Sequence, residues 1–326
     1  MAQAMPGLFT VKIRWQPNMA AVLTALLPVA LSGVYFFGWR AVAVLAVTNA
    51  FAFATEWAFA RRRGEPVTLA VFVTGSLLAL SLPPAVPFWM CAVGAVVAVA
   101  FGKELFGGMG RNPFNPALVG RAFLYVSFPS AMTAAWTIPF EGGLGGLLAW
   151  FPADGVSRAT HLPMLAAGTP MSLGPLFWGG VAGSLGETSK AAVLLGGAYL
   201  VLWKRVAPWE IAISAVLGLA AASWLFRAAG WVAGPDPLRA LLAGGFLYGA
   251  VFMATEPVTA PRLREARVVF GLLVGGLTAM IRAFGNFPEG VTFAILLGNT
   301  FGPLIEEAFR AWKLRQAPAG PGGGAR

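Results

Sequence analysis

Thiols and imidazoles are almost absent from this sequence of 326 residues, which contains one cysteine, Cys91, and one histidine, His161. A lone cysteine excludes a disulfide framework, and it also excludes an iron–sulfur cluster because a cluster needs several thiolate ligands. A single imidazole is too few to ligate haem iron on both faces. We therefore expect any redox centre held by this chain to be organic.

Charge is also scarce: 11% of the residues are charged, against about 25% in a soluble domain. Hydrophobic residues make up 58% of the chain, and the mean hydropathy is +0.73. Apolar runs of about 20 residues, long enough to cross the hydrocarbon core of a bilayer, recur from end to end. These features predict an all-α polytopic membrane protein.

The net charge of +10 does not indicate nucleic-acid binding. Lysines and arginines stand in short clusters between the apolar runs, which is the pattern that the positive-inside rule expects. No small-residue cleavage site follows the first apolar run, so we expect no cleavable signal. The lipid bilayer is therefore the expected partner of this basic chain, and nucleic acid is not.

The apolar runs predict about ten membrane spans. They cover residues 19–37, 41–60, 67–82, 88–106, 112–128, 176–203, 209–226, 238–253, 268–281 and 291–309. With this count the main basic clusters share one face, which the positive-inside rule assigns to the cytoplasm together with both termini. The chain then divides into a cytoplasmic lead (1–18), a first five-helix repeat (19–128), a periplasmic or extracellular loop (129–175), a second five-helix repeat (176–315) and a disordered Pro/Gly-rich tail (316–326).

Paired helix-breaking features suggest that the two repeats are inverted. Pro83 and Pro84 end the third span, and Pro257 follows the eighth. The fourth span leads into the Pro-containing stretch 112–116, and the ninth leads into 285–290. Because about five spans separate the paired features, the copies have opposite orientations, as in membrane proteins whose broken helices meet near the midplane.

An Asp-x-x-Ser-x-Ala-Thr string in the outer loop runs from Asp154 through Ser157 to Thr160. Asp, Gly and Ser are ordinary turn formers, so a plain turn is one interpretation. The string also resembles the flavin-transferase acceptor motif, in which the threonine hydroxyl becomes the phosphoester anchor of FMN. The topology exposes this loop on the outer face, where such a transferase would reach it.

Two prolines three residues apart, Pro113 and Pro116, exclude a continuous helix at the start of the fifth span. The amides of Asn112 and Asn115 offer donors and acceptors suited to the edge of a heteroaromatic ring. The alternative is that both asparagines only cap a helix start.

Carboxylates within apolar runs are the remaining candidates. Glu187 lies in the glycine-flanked stretch 183–188 of the sixth span, and Glu256 lies at the Pro-broken end of the eighth. Intramembrane carboxylates often line an ion path, although Glu187 could also stand in the first turn of a helix. Glu56 and Glu210 lie near span ends, and we interpret both as interfacial.

Four stretches, 110–121, 154–160, 256–259 and 287–294, together resemble the RnfD/NqrB family in order and spacing. These proteins are membrane subunits of the ion-pumping ferredoxin:NAD and NADH:quinone oxidoreductase complexes, and the resemblance covers residues 15–315. It implies ten spans in an inverted repeat, covalent FMN at Thr160, and a second, non-covalent flavin (riboflavin or FMN) near Asn112 and Asn115. Glu256 stands where Asp is common in the family, which leaves the coupling ion, Na⁺ or H⁺, open.

The resemblance implies a flavoprotein subunit in a bacterial or archaeal cytoplasmic (inner) membrane rather than an enzyme that acts alone. The sequence has no NADH-binding fingerprint, so electrons must arrive from partners. The implied partners are a flavin-bearing G/C-type subunit, NADH- and iron–sulfur-bearing subunits, and a flavin transferase. The alternative is a flavin-free channel or transporter for solutes, built on the same inverted repeat.

Overall fold

The computed structural model describes residues 12–151, 162, 165, 171–231, 236–285 and 289–316, most of which are helical. The first half contains α1 (Pro17–Phe37), α2 (Arg40–Arg63), α3 (Ala70–Leu80), α4 (Phe88–Gly102), α5 (Pro116–Ser127) and α6 (Pro129–Ala134). The second half contains α7 (Leu173–Trp178), α8 (Lys190–Ala198), α9 (Trp209–Ala228), α10 (Pro237–Leu242), α11 (Phe246–Tyr248), α12 (Arg264–Phe284) and α13 (Val291–Gln316). Two π-helical turns, Tyr199–Trp203 and Gly249–Met253, extend α8 and α11.

The predicted class, a polytopic helical membrane protein, is confirmed. Within the described residues, five helical segments are long and apolar enough to cross a bilayer: Pro17–Phe37, Arg40–Arg63, Phe88–Phe106, Trp209–Ala228 and Arg264–Phe284. Ala70–Leu80 and Lys190–Trp203 are apolar but shorter, and they lie within the predicted third and sixth spans.

The predicted helix breaks are present. Helix α5 begins at Pro116 rather than at residue 112, because proline suits the first helical position, where its missing N–H is not needed. The predicted sixth span is divided, with α7 ending at Trp178 and α8 beginning at Lys190. Irregular backbone at membrane depth is tolerated only when it is buried in protein or lines a cavity. The irregular stretch 183–188 meets this condition, because its residues from 184 onward are buried.

Helices at corresponding positions in the two halves make similar packing contacts. The second and fourth long helices of each half pack together (α2 with α4, α9 with α12), as do the fourth and fifth (α4 with α5, α12 with α13). The first helices, α1 and α8, pack against each other across the halves. One hydrophobic core runs through both halves.

Two of these helix contacts depend on glycine. A Cβ atom at Gly196 of α8 would collide with the carbonyl oxygen of Ala25 in α1, and one at Gly218 of α9 would collide with that of Leu272 in α12. Small residues allow helix backbones to approach closely inside a membrane. We call these two contacts, at Gly196 and Gly218, glycine seams, because at each one the backbone of one helix touches the backbone of another.

One small feature departs from the all-α prediction: Ile13–Arg14 pairs in parallel with Val67–Thr68. The backbone N–H and the hydroxyl of Thr68 donate to Oε1 of Glu56, at 2.7 Å and 2.6 Å. The strand pairing attaches the segment before α1 to the segment that leads into α3, and the Thr68–Glu56 hydrogen bonds attach that segment to α2.

Candidate functional site: two layers of buried polar residues

The first layer, which we call the asparagine pocket, surrounds the start of α5. Asn115 caps this helix, since its Oδ1 accepts the N–H of Leu118 at 3.3 Å. Its Nδ2 donates to the carbonyl of Met253 at 3.3 Å, and its backbone N–H donates to Oδ1 of Asn299 at 3.3 Å. The cap interpretation is thus correct for Asn115, but the same side chain also joins the first half of the chain to the second.

Asn112 bonds locally. Its Nδ2 donates to the carbonyl of Phe114 at 3.1 Å, and its Oδ1 accepts the N–H of Gly110 at 3.3 Å. Both asparagines face one cavity with Lys103 and Glu256. Apolar groups, including Met19, Val73, Leu77, Met109 and Phe252, form most of the remaining wall. A few polar groups in a mostly apolar wall are typical of a small-molecule or cofactor site.

Asn112 and Asn115 are the amide groups that line the asparagine pocket. Asn299 lies beside Asn115 but does not line the cavity, and its buried Nδ2 has no partner within the described residues. The interior is narrow, at about 30 Å³, whereas the whole funnel including its open mouth is about 620 Å³. A planar ring fits only if flexible wall residues such as Met19 and Met109 move aside, which thioether side chains do readily.

Lys103 connects this pocket to Glu56. Its Nζ donates to Oε2 of Glu56 at 2.5 Å and to the hydroxyl of Thr68 at 2.9 Å. Glu56 is only 2% exposed, and a lysine 47 residues away provides its buried counter-charge.

The second layer, which we call the arginine cluster, lies deeper along α5. Arg121 is 2% exposed and forms ion pairs with Glu187, at 2.6 Å, and with Glu289. Both carboxylates belong to the second half of the chain. At a rise of about 1.5 Å per residue, Arg121 lies about 9 Å along the helix axis from Asn115.

Broken helix ends complete the arginine cluster. Arg282 donates to the carbonyls of Ala240 (2.7 Å) and Ala243 (3.0 Å) at the end of α10, and Nζ of Lys190 donates to that of Gly244 (2.9 Å). Cations at a helix C-terminus satisfy its free carbonyls and its negative dipole end. The cluster therefore holds two buried cations, one partly buried cation (Arg282) and two buried carboxylates.

The arginine cluster also contains unsatisfied polar atoms. Nε of Arg121 and Oε2 of Glu187 are buried and have no hydrogen-bond partner in the part of the chain that the structure covers. Buried polar groups are normally paired, and unpaired ones point to a water or an ion. A carboxylate oxygen of this kind can bind a hard cation or a proton.

Sequence reasoning located part of this arrangement. Glu187 and Glu256 are not neighbours in one cluster: Glu187 belongs to the arginine cluster, and Glu256 lines the asparagine pocket. Asp154, Ser157 and Thr160 lie outside the described residues. The residues that the site prediction missed are Arg121, Lys190, Arg282 and Asn299. Ionisable side chains inside apolar runs were the available signal for two of them, Arg121 and Lys190.

The described residues contain no group of three or more His, Cys, Asp and Glu side chains that could hold a metal ion. The molecule is thus a multi-pass helical membrane protein in which broken helices enclose two buried polar layers.

The chain belongs to the NQR2, RnfD, RnfE family, whose model matches residues 8–314. It is 39% identical to the D-type subunit of the ion-translocating oxidoreductase complex of Stutzerimonas stutzeri, with 90% of each chain covered. It is 36% identical to the D-type subunit of the proton-translocating ferredoxin:NAD(+) oxidoreductase complex of Clostridium ljungdahlii, over 91% of this chain and 89% of that one. Identity to the B-type subunit of the Na(+)-translocating NADH-quinone reductase of Pseudomonas aeruginosa is 42%, over 77% of this chain and 62% of the relative. The resemblance found in the sequence is therefore confirmed at the level of the family.

Proposed function

We propose that the protein is a membrane flavoprotein subunit of an ion-translocating electron-transport complex of the Rnf/Nqr type. The observation that carries this proposal is the match over nearly the whole chain to subunits of such complexes. Electrons pass through FMN attached to Thr160 and through a second, non-covalent flavin in the asparagine pocket. The bound flavins supply the redox chemistry, and the protein positions them and excludes water.

The fold of this proposal is an inverted repeat of two five-helix units. It is supported by the corresponding helix pairs of the two halves and by the breaks near residues 80–82 and 253–256. The N–H groups of Leu185 and Gly186 donate to the carbonyls of Leu82 (3.2 Å) and Leu80 (2.7 Å), so a break of the second half meets one of the first. Such contacts between broken helices are typical of inverted-repeat transporters.

The remaining subunits of the complex supply what this chain lacks. A flavin-bearing subunit, NADH- and iron–sulfur-bearing subunits and a flavin transferase are the partners in this proposal. The positive-inside pattern supports an inner-membrane location with both termini in the cytoplasm. The loop that contains Thr160 then faces outward, and the asparagine pocket lies in the cytoplasmic half.

Replacing Asn112 and Asn115 with leucine tests the second flavin. We expect the purified complex to lose most of its non-covalent flavin while its covalent flavin is unchanged, because the amide groups are gone. Extraction with acid, followed by quantification of released and protein-bound flavin, measures both pools. Asn18→Leu removes an exposed asparagine at the start of α1 and is the matched control.

Loss of the Asn115 cap alone destabilises a helix by about 1 kcal/mol. The variant Asn112→Asp with Asn115→Asp keeps an acceptor for the cap and removes the amide donors. If both double variants keep the wild-type amount of non-covalent flavin, the asparagines are structural. If the wild type itself contains no flavin, the result favours the flavin-free transporter.

Glu187→Gln and Glu256→Gln test ion coupling. Each substitution keeps the side-chain shape and removes a carboxylate that can bind Na⁺ or a proton. We expect each variant, in the assembled complex, to keep its flavins and to translocate fewer ions per electron. Reconstituted vesicles assayed for electron transfer and ion uptake together give the ratio.

The control for coupling is Glu265→Gln, which removes a carboxylate at the start of α12 that is half-exposed and paired with Lys313. If all three variants give the wild-type ratio, neither Glu187 nor Glu256 takes part in coupling. A lower ratio in only one variant would assign the ion path to the layer that contains that residue.

A further inference from the structure

A basic groove lies between the end of the α8 segment and the start of α9. It adjoins the asparagine pocket, since Val206 and Ala207 line both cavities. Its volume is about 740 Å³, and its polar lining comes from Arg205, Arg267 and Glu210. Val201, Leu202 and Ile213 form much of its apolar wall, together with Trp209. The groove thus combines a cationic mouth with an apolar side.

The charges at the mouth leave an excess of cations. Glu210 pairs with Arg264 at 3.2 Å and lies 3.9 Å from Arg267. Arg205 makes no hydrogen bond or ion pair with any residue that the structure describes. Lys204 is exposed beside it. Two cations, Arg205 and Arg267, and one carboxylate line the groove, and a third cation, Arg264, pairs with that carboxylate. The mouth therefore carries an excess of positive charge that attracts an anion.

The backbone at Arg205 is unusual. Its φ is 53°, and it is the only non-glycine residue with a positive φ in the described ranges. Arg205 lies two residues after Trp203, where the π-helical turn ends. Next to it, the N–H of Val206 donates to the carbonyl of Leu200 at 3.0 Å. Glycine is the usual residue at such a position because a side chain strains the left-handed conformation. An arginine at this position therefore carries a backbone strain that glycine would not.

The apolar side of the groove continues along the outer surface of α9. Ile213 and Leu217 are separated by one helical turn and are 51% and 57% exposed, and Leu202 across the groove is 74% exposed. These side chains offer a track for hydrocarbon chains directly beyond the cationic mouth. Basic pockets of this kind between membrane helices bind anionic lipid head groups.

We propose that this groove is a binding site for an anionic phospholipid, with Arg205 and Arg267 on the phosphate and the α9 surface on the acyl chains. The uncapped N-terminus of α9, which follows Pro208, adds further positive potential at the phosphate position. Zwitterionic lipids lack the net negative charge that the excess of cations at the mouth attracts. The proposal does not depend on the flavins or on the direction of ion movement.

Arg205→Gly is the decisive variant, because glycine adopts a positive φ without strain. We expect it to be at least as thermally stable as the wild type while binding phosphatidylglycerol at least tenfold more weakly. The complex is stripped of lipid in a neutral detergent and titrated with phosphatidylglycerol or phosphatidylcholine, and native mass spectrometry counts the lipids retained. Arg205→Lys should recover most of the binding, and Arg267→Gln should weaken it.

The control is Arg62→Gln, which removes an exposed arginine from the end of α2 in the other half. Equal retention of phosphatidylglycerol by wild type and Arg205→Gly would overturn the proposal, as would equal retention of phosphatidylcholine by the wild type. Displacement of the lipid by millimolar inorganic phosphate alone would assign the site to a free anion instead. Loss of a partner subunit from the Arg205→Gly complex, with the lipid count unchanged, would make the groove a protein interface and equally refute the lipid site.

Discussion

A Thr160→Ala chain produced together with a flavin transferase is expected to give no fluorescent band on a denaturing gel, whereas the wild-type chain is expected to fluoresce under ultraviolet light. Alanine has no hydroxyl, so the phosphoester that would hold FMN has no atom to form on. The loss should be complete, because a covalent bond is either present or absent. Thr160→Ser keeps a hydroxyl and should retain part of the fluorescence.

Thr133→Ala is the control for this experiment. Thr133 is an exposed threonine of α6 that lies outside the motif. The Thr133→Ala chain should fluoresce like the wild type. Fluorescence that persists in Thr160→Ala would place the flavin elsewhere, and its absence from the wild type would remove the covalent flavin from the proposed function. Mass spectrometry of the peptide that contains residue 160 distinguishes these outcomes.

Arg121→Leu is expected to destabilise the protein more than any other single substitution considered for this chain. It leaves Glu187 and Glu289 buried without their cation, and removing one partner of a buried ion pair costs about 3–5 kcal/mol. The thermal unfolding midpoint of the detergent-solubilised protein should fall clearly. Adding Glu187→Gln and Glu289→Gln should restore part of the loss, since the two carboxylates are then no longer buried without Arg121. The recovery is incomplete because Lys190 and Arg282 keep their charges.

Arg310→Leu is the control, because it removes an exposed ion pair instead of a buried one. Arg310 and Glu306 pair at 2.6 Å one turn apart on α13, and the arginine side chain is 52% exposed. Exposed pairs of this spacing are worth about 0.3–0.5 kcal/mol. A similar midpoint for Arg121→Leu and Arg310→Leu would mean that the arginine cluster does not stabilise the contact between the two halves of the chain.

The sequence predicted those features that depend on local backbone chemistry. Pro113 and Pro116 fix the late start of α5, and the glycines around residues 183–186 accompany the divided sixth span. The pattern of apolar runs predicted the class of protein. Such features are encoded within a few residues of where they occur, so a single sequence shows them.

The partners in the two polar layers could not be predicted, because they are far apart in the chain. Arg121 meets carboxylates 66 and 168 residues away, and Asn115 meets Met253 138 residues away. No periodicity or spacing encodes such pairs. The separation of Glu187 from Glu256 follows from the same long-range packing, which places one in each layer.

The glycine seams limit how the protein can move. Where backbone rests on backbone, as at Gly196 and Gly218, no side-chain rotation can open a gap, so the joined helices must travel as solid blocks. Arg121, by contrast, is a long side chain that holds one carboxylate with each arm, and changes in its torsion angles alone can release one of them. A conformational change in this molecule therefore needs no large hinge, because the group that switches can be as small as one guanidinium.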